Sequence, residues 1–296
     1  MSTKKLLIAV GDSFTDPKLY SFIPKVWPEY VAELADWDHI NLGKGGASNY
    51  YIFNKAIDAI EKYSDRDIVV IANWSDVLRI NLFDITSGML EGEEELIQRF
   101  ESKVRDKGVN VTEEYVEDMR KYLTRTLQLT SVISQCIDES KEKDISLSDI
   151  YFKIVEHSLR TMYLLEEYCV LRGIEFYHFS SISPIADETF VGALTSHQKY
   201  SYQIKSFSEE IEKGSTKIKN ESAWYKKLSK SKKYIGFSWD AHHYIKQHNL
   251  VVNRNDHHPN AKGHELLGNL IHNFITSGNV ESLNVKKFER PIYVYD

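Results

Sequence analysis

Three residues near the two ends of the chain have the types that serine acyl transfer needs. Ser13 follows an apolar run, residues 6–10, after an intervening Gly-Asp pair. Asp256 and His258 lie close together in an Asp-His-His-Pro-Asn sequence. An aspartate at this spacing on a tight turn can hold the imidazole through its Nδ1–H, which leaves Nε2 free to take a proton from a hydroxyl. A serine that such a histidine reaches becomes a nucleophile.

Both ends of the chain also have ordinary interpretations. Ser13 taken alone can simply cap the following helix, because serine is a favoured N-cap residue. At the other end, Asp256, His257, His258 and His264 form a ligand-rich cluster that could hold a metal ion. We favour the metal interpretation less, because metal ligands must converge and His264 more simply belongs to the last helix.

Two further polar stretches follow predicted strands. The glycine cluster, residues 43–49, can adopt positive φ and let backbone N–H groups approach a ligand. It matches neither a phosphate loop nor a dinucleotide-binding motif, and a tight strand-to-helix turn explains it equally well. The sequence Asn-Trp-Ser-Asp at residues 73–76 follows a strongly apolar stretch. These two stretches are candidates for substrate-binding groups.

The elements that must position these groups alternate between strand and helix. The predicted strands are residues 6–10, 39–42 and 67–72, and the predicted helices between them are residues 24–37 and 50–63. This order indicates an α/β fold with a parallel sheet covered by helices. Ligands of such sheets bind at the carboxyl ends of the strands. We therefore expect Ser13, the glycine cluster and residues 73–76 to meet at one edge.

The rest of the chain predicts further elements and two insertions. A long helix over residues 148–172, a strand over 174–179, and a final helix that Asn260 caps continue the α/β pattern. Two segments, at about 84–143 and 186–250, fit no simple unit, although residues 115–138 resemble a helix. We interpret residues 1–280 as a single domain with these two insertions and residues 281–296 as a tail. The second insertion is expected to overhang Ser13 and to bring Trp224 or Trp239 to the site, unless these side chains form a core of their own.

Composition limits the function further. The chain has 296 residues and a net charge of −6, which argues against a general nucleic-acid binder. The apolar stretch near the N-terminus is too short for a secretory signal, and no apolar run approaches the length of a membrane span. Its two cysteines are expected to be buried free thiols. The sequence predicts a soluble cytoplasmic protein.

Three blocks of the sequence resemble the SGNH/GDSL hydrolases. The first block of that family resembles Gly11-Asp12-Ser13-Phe14-Thr15-Asp16 of this chain. Its second block resembles Asn41-Leu42-Gly43-Lys44-Gly45-Gly46, and its last block resembles Asp256-His257-His258-Pro259-Asn260. The resemblance implies a three-layer, doubly wound parallel sheet of the flavodoxin-like type. It also implies a catalytic triad of Ser13, His258 and Asp256, with Gly46 as the glycine of the oxyanion hole.

The third block of that family, Gly-x-Asn-Asp, is altered in this chain. The sequence here is Ala72-Asn73-Trp74-Ser75-Asp76. Asn73 is the closest match to the side-chain donor, with Ser75 as the alternative. An amide carries two N–H donors and a hydroxyl only one, so we favour Asn73 as the side-chain donor. The predicted oxyanion hole then consists of the backbone N–H groups of Ser13 and Gly46 and the side chain of Asn73. The spacing Asp-x-His is also one residue shorter than the family's commonest spacing.

The resemblance implies a serine esterase that acts on a small-molecule, glycan or lipid ester, such as a carbohydrate O-acetyl ester. Such a reaction needs neither a metal nor an organic cofactor. Two alternatives stay open. The altered third block suits a binding protein that has kept the fold but turns over weakly, and the histidine cluster suits a metal-dependent hydrolase.

Overall fold

The computed structural model describes residues 4–77, 146–185, 204–237, 239–253 and 256–278. Its strands are β1 (Leu6–Gly11), β2 (Asp38–Asn41), β3 (Ile68–Trp74), β4 (Glu175–Ser180), β5 (Val251–Asn253) and β6 (Asp256–Pro259). Its helices are α1 (Trp27–Ala35), α2 (Asn49–Lys62), α3 (Leu147–Leu171), α4 (Ile204–Glu221), α5 (Ala223–Leu228), α6 (Ala241–Gln247) and α7 (Ala261–Ser277). The predicted insertion at 84–143, with its helix at 115–138, and the tail at 281–296 lie outside the described residues.

The first four strands form one parallel sheet in the order β2-β1-β3-β4. β1 is buried along its whole length because both its faces are covered, which explains its unbroken apolar sequence. Its pairing with β3 runs from Leu6 opposite Ile68 to Gly11 opposite Asn73. The chain crosses from one side of β1 to the other between β2 and β3, which opens a crevice at the carboxyl ends of β1 and β3.

Helices cover both faces of this sheet. Alternate residues of β1 face opposite ways, as strand geometry requires. Ile8 packs in one core cluster with Ile52 of α2 and Leu159 of α3. Ala9 packs in the other with Val31 of α1 and Leu267 of α7. The predicted three-layer α/β architecture with a parallel sheet is confirmed.

Sequence patterns located most element boundaries to within a few residues. α3 ends just before Gly173, whose φ of +67° is the left-handed conformation that favours glycine. The Asn260 side chain caps α7 by accepting a hydrogen bond of 3.0 Å from the Gly263 N–H. The predicted strand at 67–72 extends to Trp74, so Asn73 belongs to β3 itself.

The tight turn that the sequence interpretation assumed for Asp256 and His258 was wrong. Both lie on β6, which pairs antiparallel with β5 through Asn253 opposite Asp256 and Val251 opposite Pro259. The four residues of β6 are nearly all polar, so they lack the alternating apolar pattern by which strands are identified. The antiparallel pairing, which has a register shift between Val251 and Asn253 of β5, holds these two side chains in a strand conformation.

The described part of the second predicted insertion packs against the main sheet. The His178 N–H donates to the Lys233 carbonyl (2.9 Å), and the Ile235 N–H donates to the His178 carbonyl (3.1 Å), so the chain around Tyr234 runs beside β4. Trp239 is buried against Phe179 in the core cluster that contains Ala9 of β1. This is a position within the core and not in the wall of a site.

Trp224 also packs within a helical layer. Its ring lies 5.6 Å from that of Tyr163 on α3, at the edge of the first core cluster. Trp224 and Trp239 therefore join the two core clusters of the main sheet and do not form a core of their own, while the overhang of the second insertion over Ser13 stays a prediction. None of the helices in the described ranges is both long and apolar enough to cross a membrane.

Candidate active site

Ser13, His258 and Asp256 form an unbroken chain of hydrogen-bond contacts. The Ser13 Oγ lies 2.8 Å from His258 Nε2, and His258 Nδ1 lies 2.6 Å from Asp256 Oδ1. The His258 backbone N–H also donates to the same carboxylate oxygen (3.2 Å). A carboxylate at Nδ1 keeps the ring proton on that nitrogen, which leaves the lone pair of Nε2 to accept the serine proton. The structure therefore brings together the three residues that the sequence proposes for catalysis.

A tight turn after β1 presents Ser13. The N–H groups of Thr15 and Asp16 both donate to the Asp12 carbonyl, at 2.9 and 3.1 Å. Gly11 makes the turn possible, because a Cβ at this position would lie 2.2 Å from the Thr15 Oγ1. The turn places the serine just beyond the carboxyl end of the central strand, where ligands of parallel sheets bind.

Tyr20 is a further member of this site that the sequence did not indicate. Its hydroxyl donates to Asp256 Oδ2, the oxygen that His258 leaves unused, and it also lies 3.2 Å from His258 Nδ1. Burial opposes ionisation of Asp256, but the hydrogen bonds from Tyr20 and His258 outweigh it and hold the carboxyl pKa below its usual value. A lone tyrosine in a segment without periodicity carries no signal that sequence reasoning could have used.

Aromatic rings also hold His258 in place. The ring of Phe14 lies 5.3 Å from the imidazole, and the ring of Tyr20 lies 5.8 Å from it at a steep angle. Burial and the neighbouring carboxylate raise the pKa of the Tyr20 phenol, so the hydroxyl stays a donor at neutral pH. The imidazole is thus oriented by a carboxylate on one side and by rings on its flanks.

The glycine cluster is hydrogen-bonded to the nucleophile turn. The Gly45 N–H donates to Asp16 Oδ2 (2.7 Å), and the Asn41 amide donates to the Thr15 carbonyl (2.8 Å). Gly43 lies so close to this turn that a Cβ would be 2.5 Å from the Thr15 carbonyl carbon. Gly46 has a φ of +73°, the left-handed conformation. These contacts bring the second block of the sequence against the first.

Two backbone N–H groups at this edge of the sheet are available as hydrogen-bond donors to a ligand. Within the described part of the chain, the N–H groups of Ser13 and Gly46 donate to no protein acceptor. Backbone N–H groups next to a nucleophile can meet the oxyanion of a tetrahedral intermediate. Both residues are the ones that the sequence assigns to this role.

Asp12 organises the ends of the strands beneath the nucleophile. Its carboxylate is buried, with 1% exposure, and accepts hydrogen bonds from several segments of the chain. The donors are the Phe14 N–H (3.0 Å), the Asn73 amide (3.3 Å), the Ser75 hydroxyl (3.1 Å) and the Ser181 hydroxyl (2.7 Å). The network connects the turn after β1 to residues at the ends of β3 and β4.

Both side-chain candidates for the oxyanion hole belong to this network. The Asn73 Nδ2 donates to Thr15 Oγ1 (3.0 Å) as well as to Asp12, and its Oδ1 accepts from Ser181 (2.9 Å). The Ser75 hydroxyl donates to Asp12 (3.1 Å). Asn73 is fully buried. Since the polar hydrogens of both side chains have protein partners, a direct role of either at the oxyanion stays a prediction.

The three histidines of the metal cluster suggested by the sequence, His257, His258 and His264, lie in different environments. His258 joins the triad, while His257 turns to His242 with a ring-nitrogen separation of 3.2 Å. His264 is buried in α7, and burial lowers its pKa to about 3. In the described ranges, the group of His, Asp and Glu side chains close enough together to hold a metal ion is instead Asp240, His242 and His243, with one ligand atom of each within 4.8 Å of the others. Sequence reasoning missed this group because it lies in the segment interpreted as an insertion.

Comparisons with known proteins give structural likenesses at low identity. No family model matches the chain, and no curated protein matches it. A member of the lipolytic protein G-D-S-L family from Veillonella parvula is 12% identical, with 90% of this chain and 94% of that chain covered and a TM-score of 0.33. A catalytic mutant of Axe2, an acetylxylan esterase from Geobacillus stearothermophilus, is 13% identical, with 98% of each chain covered and a TM-score of 0.31. Likenesses at these TM-scores do not assign a function, which has to follow from the geometry of the site.

Proposed function

We propose that the chain is a serine ester hydrolase with Ser13 as nucleophile. The observation that supports this most is the contact chain from Asp256 through His258 to Ser13, with separations of 2.6 and 2.8 Å. Residues that are about 245 positions apart in sequence meet in the order that acyl transfer requires. A serine that merely capped a helix would need no histidine at its hydroxyl.

The proposed reaction has two halves. Ser13 Oγ attacks the ester carbonyl while His258 Nε2 takes the serine proton, and the same proton then goes to the leaving alcohol. Water next attacks the acyl-serine with His258 again as base, which releases the acid and restores the hydroxyl. Asp256 stabilises the imidazolium that forms in each half. Tyr20 acts on the reaction only through Asp256, so it is a positioning residue.

For the oxyanion we propose the N–H groups of Ser13 and Gly46. One such donor typically contributes about 2.7–4 kcal/mol to the stability of the transition state. A third donor from Asn73, the side chain that the sequence favours, would require its amide to release Asp12 or Thr15. Ser75 would have to release Asp12 in the same way. The proposed substrates are small-molecule, glycan or lipid esters.

The test combines covalent labelling with activity on p-nitrophenyl esters of acetyl, butyryl and longer chains. A fluorophosphonate should label the wild type at Ser13 and leave Ser13→Ala unlabelled. Ser13→Ala and His258→Ala should each lose activity by about a thousandfold or more, and the double variant should be scarcely worse, because residues that act as a unit are not additive.

His248→Ala is the matched control, since this histidine is exposed at the end of α6. If His258→Ala kept most activity while His257→Ala or His264→Ala lost it, the assignment of the base would be wrong. If Ser13 were not labelled and Ser13→Ala hydrolysed as well as the wild type, the proposal of a serine hydrolase would be wrong.

A second candidate function is a binding protein with weak turnover. The observation that favours it is the commitment of Asn73 and Ser75 to Asp12, which leaves two backbone donors for the oxyanion. It predicts slow labelling of Ser13 together with saturable binding of an ester that is hardly hydrolysed. Isothermal titration calorimetry of the Ser13→Ala variant, with the p-nitrophenyl ester that the wild type hydrolyses fastest, would measure binding without turnover.

A further inference from the structure

A cluster of three histidines and one aspartate lies on the side of β6 away from the triad. Asp240 Oδ2 is 2.8 Å from His243 Nδ1, and His242 Nε2 is 3.2 Å from His257 Nδ1. One ligand atom each from Asp240, His242 and His243 lies within 4.8 Å of the others. Side chains alternate along a strand, so His257 faces opposite to Asp256 and His258.

We propose that this cluster binds a divalent transition-metal ion such as Zn²⁺. Asp240, His242 and His243 would be ligands, and His257 would be the fourth. Zinc–ligand bonds of about 2.0–2.1 Å place neighbouring ligands of a tetrahedral site roughly 3.4 Å apart. The separations between Asp240 and His243 (2.8 Å) and between His242 and His257 (3.2 Å) are close to that distance. The ligand atoms of Asp240, His242 and His243 are at most 4.8 Å apart, so an ion would have to draw them together by no more than about 1.4 Å.

The donor set selects the kind of ion. Imidazole nitrogens suit Zn²⁺, Cu²⁺ and Ni²⁺, whereas Mg²⁺ and Ca²⁺ prefer sites made of oxygen ligands. Four protein ligands also fill a tetrahedral zinc, which is typical of structural sites and leaves no position for substrate. The ion would therefore take no part in the chemistry at Ser13.

The position of the cluster gives the ion a structural role. His242 and His243 belong to α6, and the His242 N–H holds the Ser181 carbonyl after β4 (2.9 Å). His257 lies between Asp256 and His258 on β6. An ion bound by both elements would tie the strand that carries the triad residues to the end of the main sheet. This proposal is independent of the esterase proposal and stands even if Ser13 is inert.

The test is metal binding by the full chain after removal of metal with a chelator. We expect the wild type to bind one equivalent of Zn²⁺ with a Kd below about 1 µM, and saturating Zn²⁺ to raise its melting temperature by about 5 °C or more. Mg²⁺ should give no shift. His242→Gln should weaken zinc binding by about a hundredfold or more. His248→Gln, an exposed histidine of the same region, should bind zinc like the wild type.

A second variant separates loss of the metal from loss of the fold. Asp240 caps α6 through the His243 N–H (2.8 Å), and asparagine caps helices about as well as aspartate. Asp240→Asn should therefore melt like the metal-free wild type but respond much less to Zn²⁺. Zinc binding that is absent from the wild type, or that is unchanged in both Asp240→Asn and His242→Gln, would overturn the proposal.

Discussion

Asp12 and Asp256 are two aspartates beside the same serine with opposite surroundings. Asp12 is buried to 1% exposure and accepts hydrogen bonds from residues at or just beyond the ends of β1, β3 and β4. The side chain of Asp256 is 26% exposed and meets His258 and Tyr20. The first carboxylate joins strand ends, and the second orients one imidazole.

The difference shows that proximity to Ser13 in sequence does not predict contact with the proposed base. Asp12 is the immediate neighbour of Ser13 in the chain, yet its side chain faces the buried strand ends. A buried carboxylate costs free energy unless donors satisfy it, so its position requires the amide and hydroxyls around it. Asp256 is remote in sequence and is the carboxylate in contact with the proposed base.

The largest effect that tests this comparison comes from replacing each aspartate by asparagine. Asp256→Asn should lower kcat by about a thousandfold or more, because an amide no longer fixes the imidazole tautomer, and should lower the free energy of unfolding by only about 1 kcal/mol, because the carboxylate is partly exposed. Asp12→Asn should instead lower the free energy of unfolding by about 2–4 kcal/mol, because the amide nitrogen that replaces one carboxylate oxygen cannot accept the hydrogen bond of Ser75 at Oδ2 or, in the other orientation, that of Ser181 at Oδ1. Kinetics and urea denaturation of both variants measure the two quantities.

Asp58→Asn, at an exposed position on α2, is the control for the change of charge. The comparison breaks if Asp12→Asn folds with full stability but loses activity. In that case Asp12 would have a direct part in the chemistry, and the buried network would not be its main role.

A smaller effect separates the members of the Asp12 network. Asn73→Ala removes the hydrogen bonds to Thr15 and Asp12, so we expect a loss of about 1–3 kcal/mol in stability and less than a tenfold change in kcat. Ser75→Ala removes the bond to Asp12 and should cost less. Urea denaturation and the separate values of kcat and KM distinguish stability from catalysis.

The result that would contradict this expectation is specific. A kcat lowered by about a hundredfold with unchanged KM and unchanged stability is the signature of a donor used in the transition state. Found in Asn73→Ala, it would make Asn73 the third oxyanion donor. Found only in Ser75→Ala, it would assign that role to the hydroxyl.

Local patterns predicted the sheet and its helices well, because apolar runs and helical spacing follow directly from burial. The apolar runs at residues 6–10 of β1 and 68–72 of β3 are continuous, and Asn260 caps α7. β6 was missed, since its Asp-His-His-Pro sequence has no apolar alternation. Its strand conformation depends on pairing with β5, a tertiary contact that short-range patterns do not encode.

The site could be predicted only where the motif residues themselves meet. Ser13, Asp256 and His258 form the expected contacts because each follows a strand or lies on one. Tyr20 was not predicted because it belongs to no motif, so nothing in the sequence links it to Asp256, 236 positions away. The hydrogen-bond partners of Asn73 were not predicted either, since strand alternation gives the direction of a side chain but not what it meets.

The smallest effect concerns the hydroxyl of Tyr20. It tests the comparison of the two aspartates from one side, because this hydroxyl contacts Asp256 and not Asp12. Tyr20→Phe removes one of the donors that hold the pKa of Asp256 down. A charged hydrogen bond at a partly exposed position is worth on the order of 1 kcal/mol, so kcat should fall by about fivefold. Kinetics on the acetyl ester, beside Tyr30→Phe as control, measures this loss.

The pH dependence of stability then shows whether Tyr20 acts through the charge of Asp256. A carboxyl with a lowered pKa in the folded state stabilises the fold above its usual value of 3.8, and this stabilisation is lost as the pH falls through the folded pKa. The wild type should therefore be more stable than Tyr20→Phe at neutral pH, and the difference should shrink below about pH 3.8, because Asp256 becomes protonated. A difference in unfolding free energy that stays constant from pH 7 to pH 3, with kcat unchanged, would show that the Tyr20 hydroxyl only fills space beside the triad.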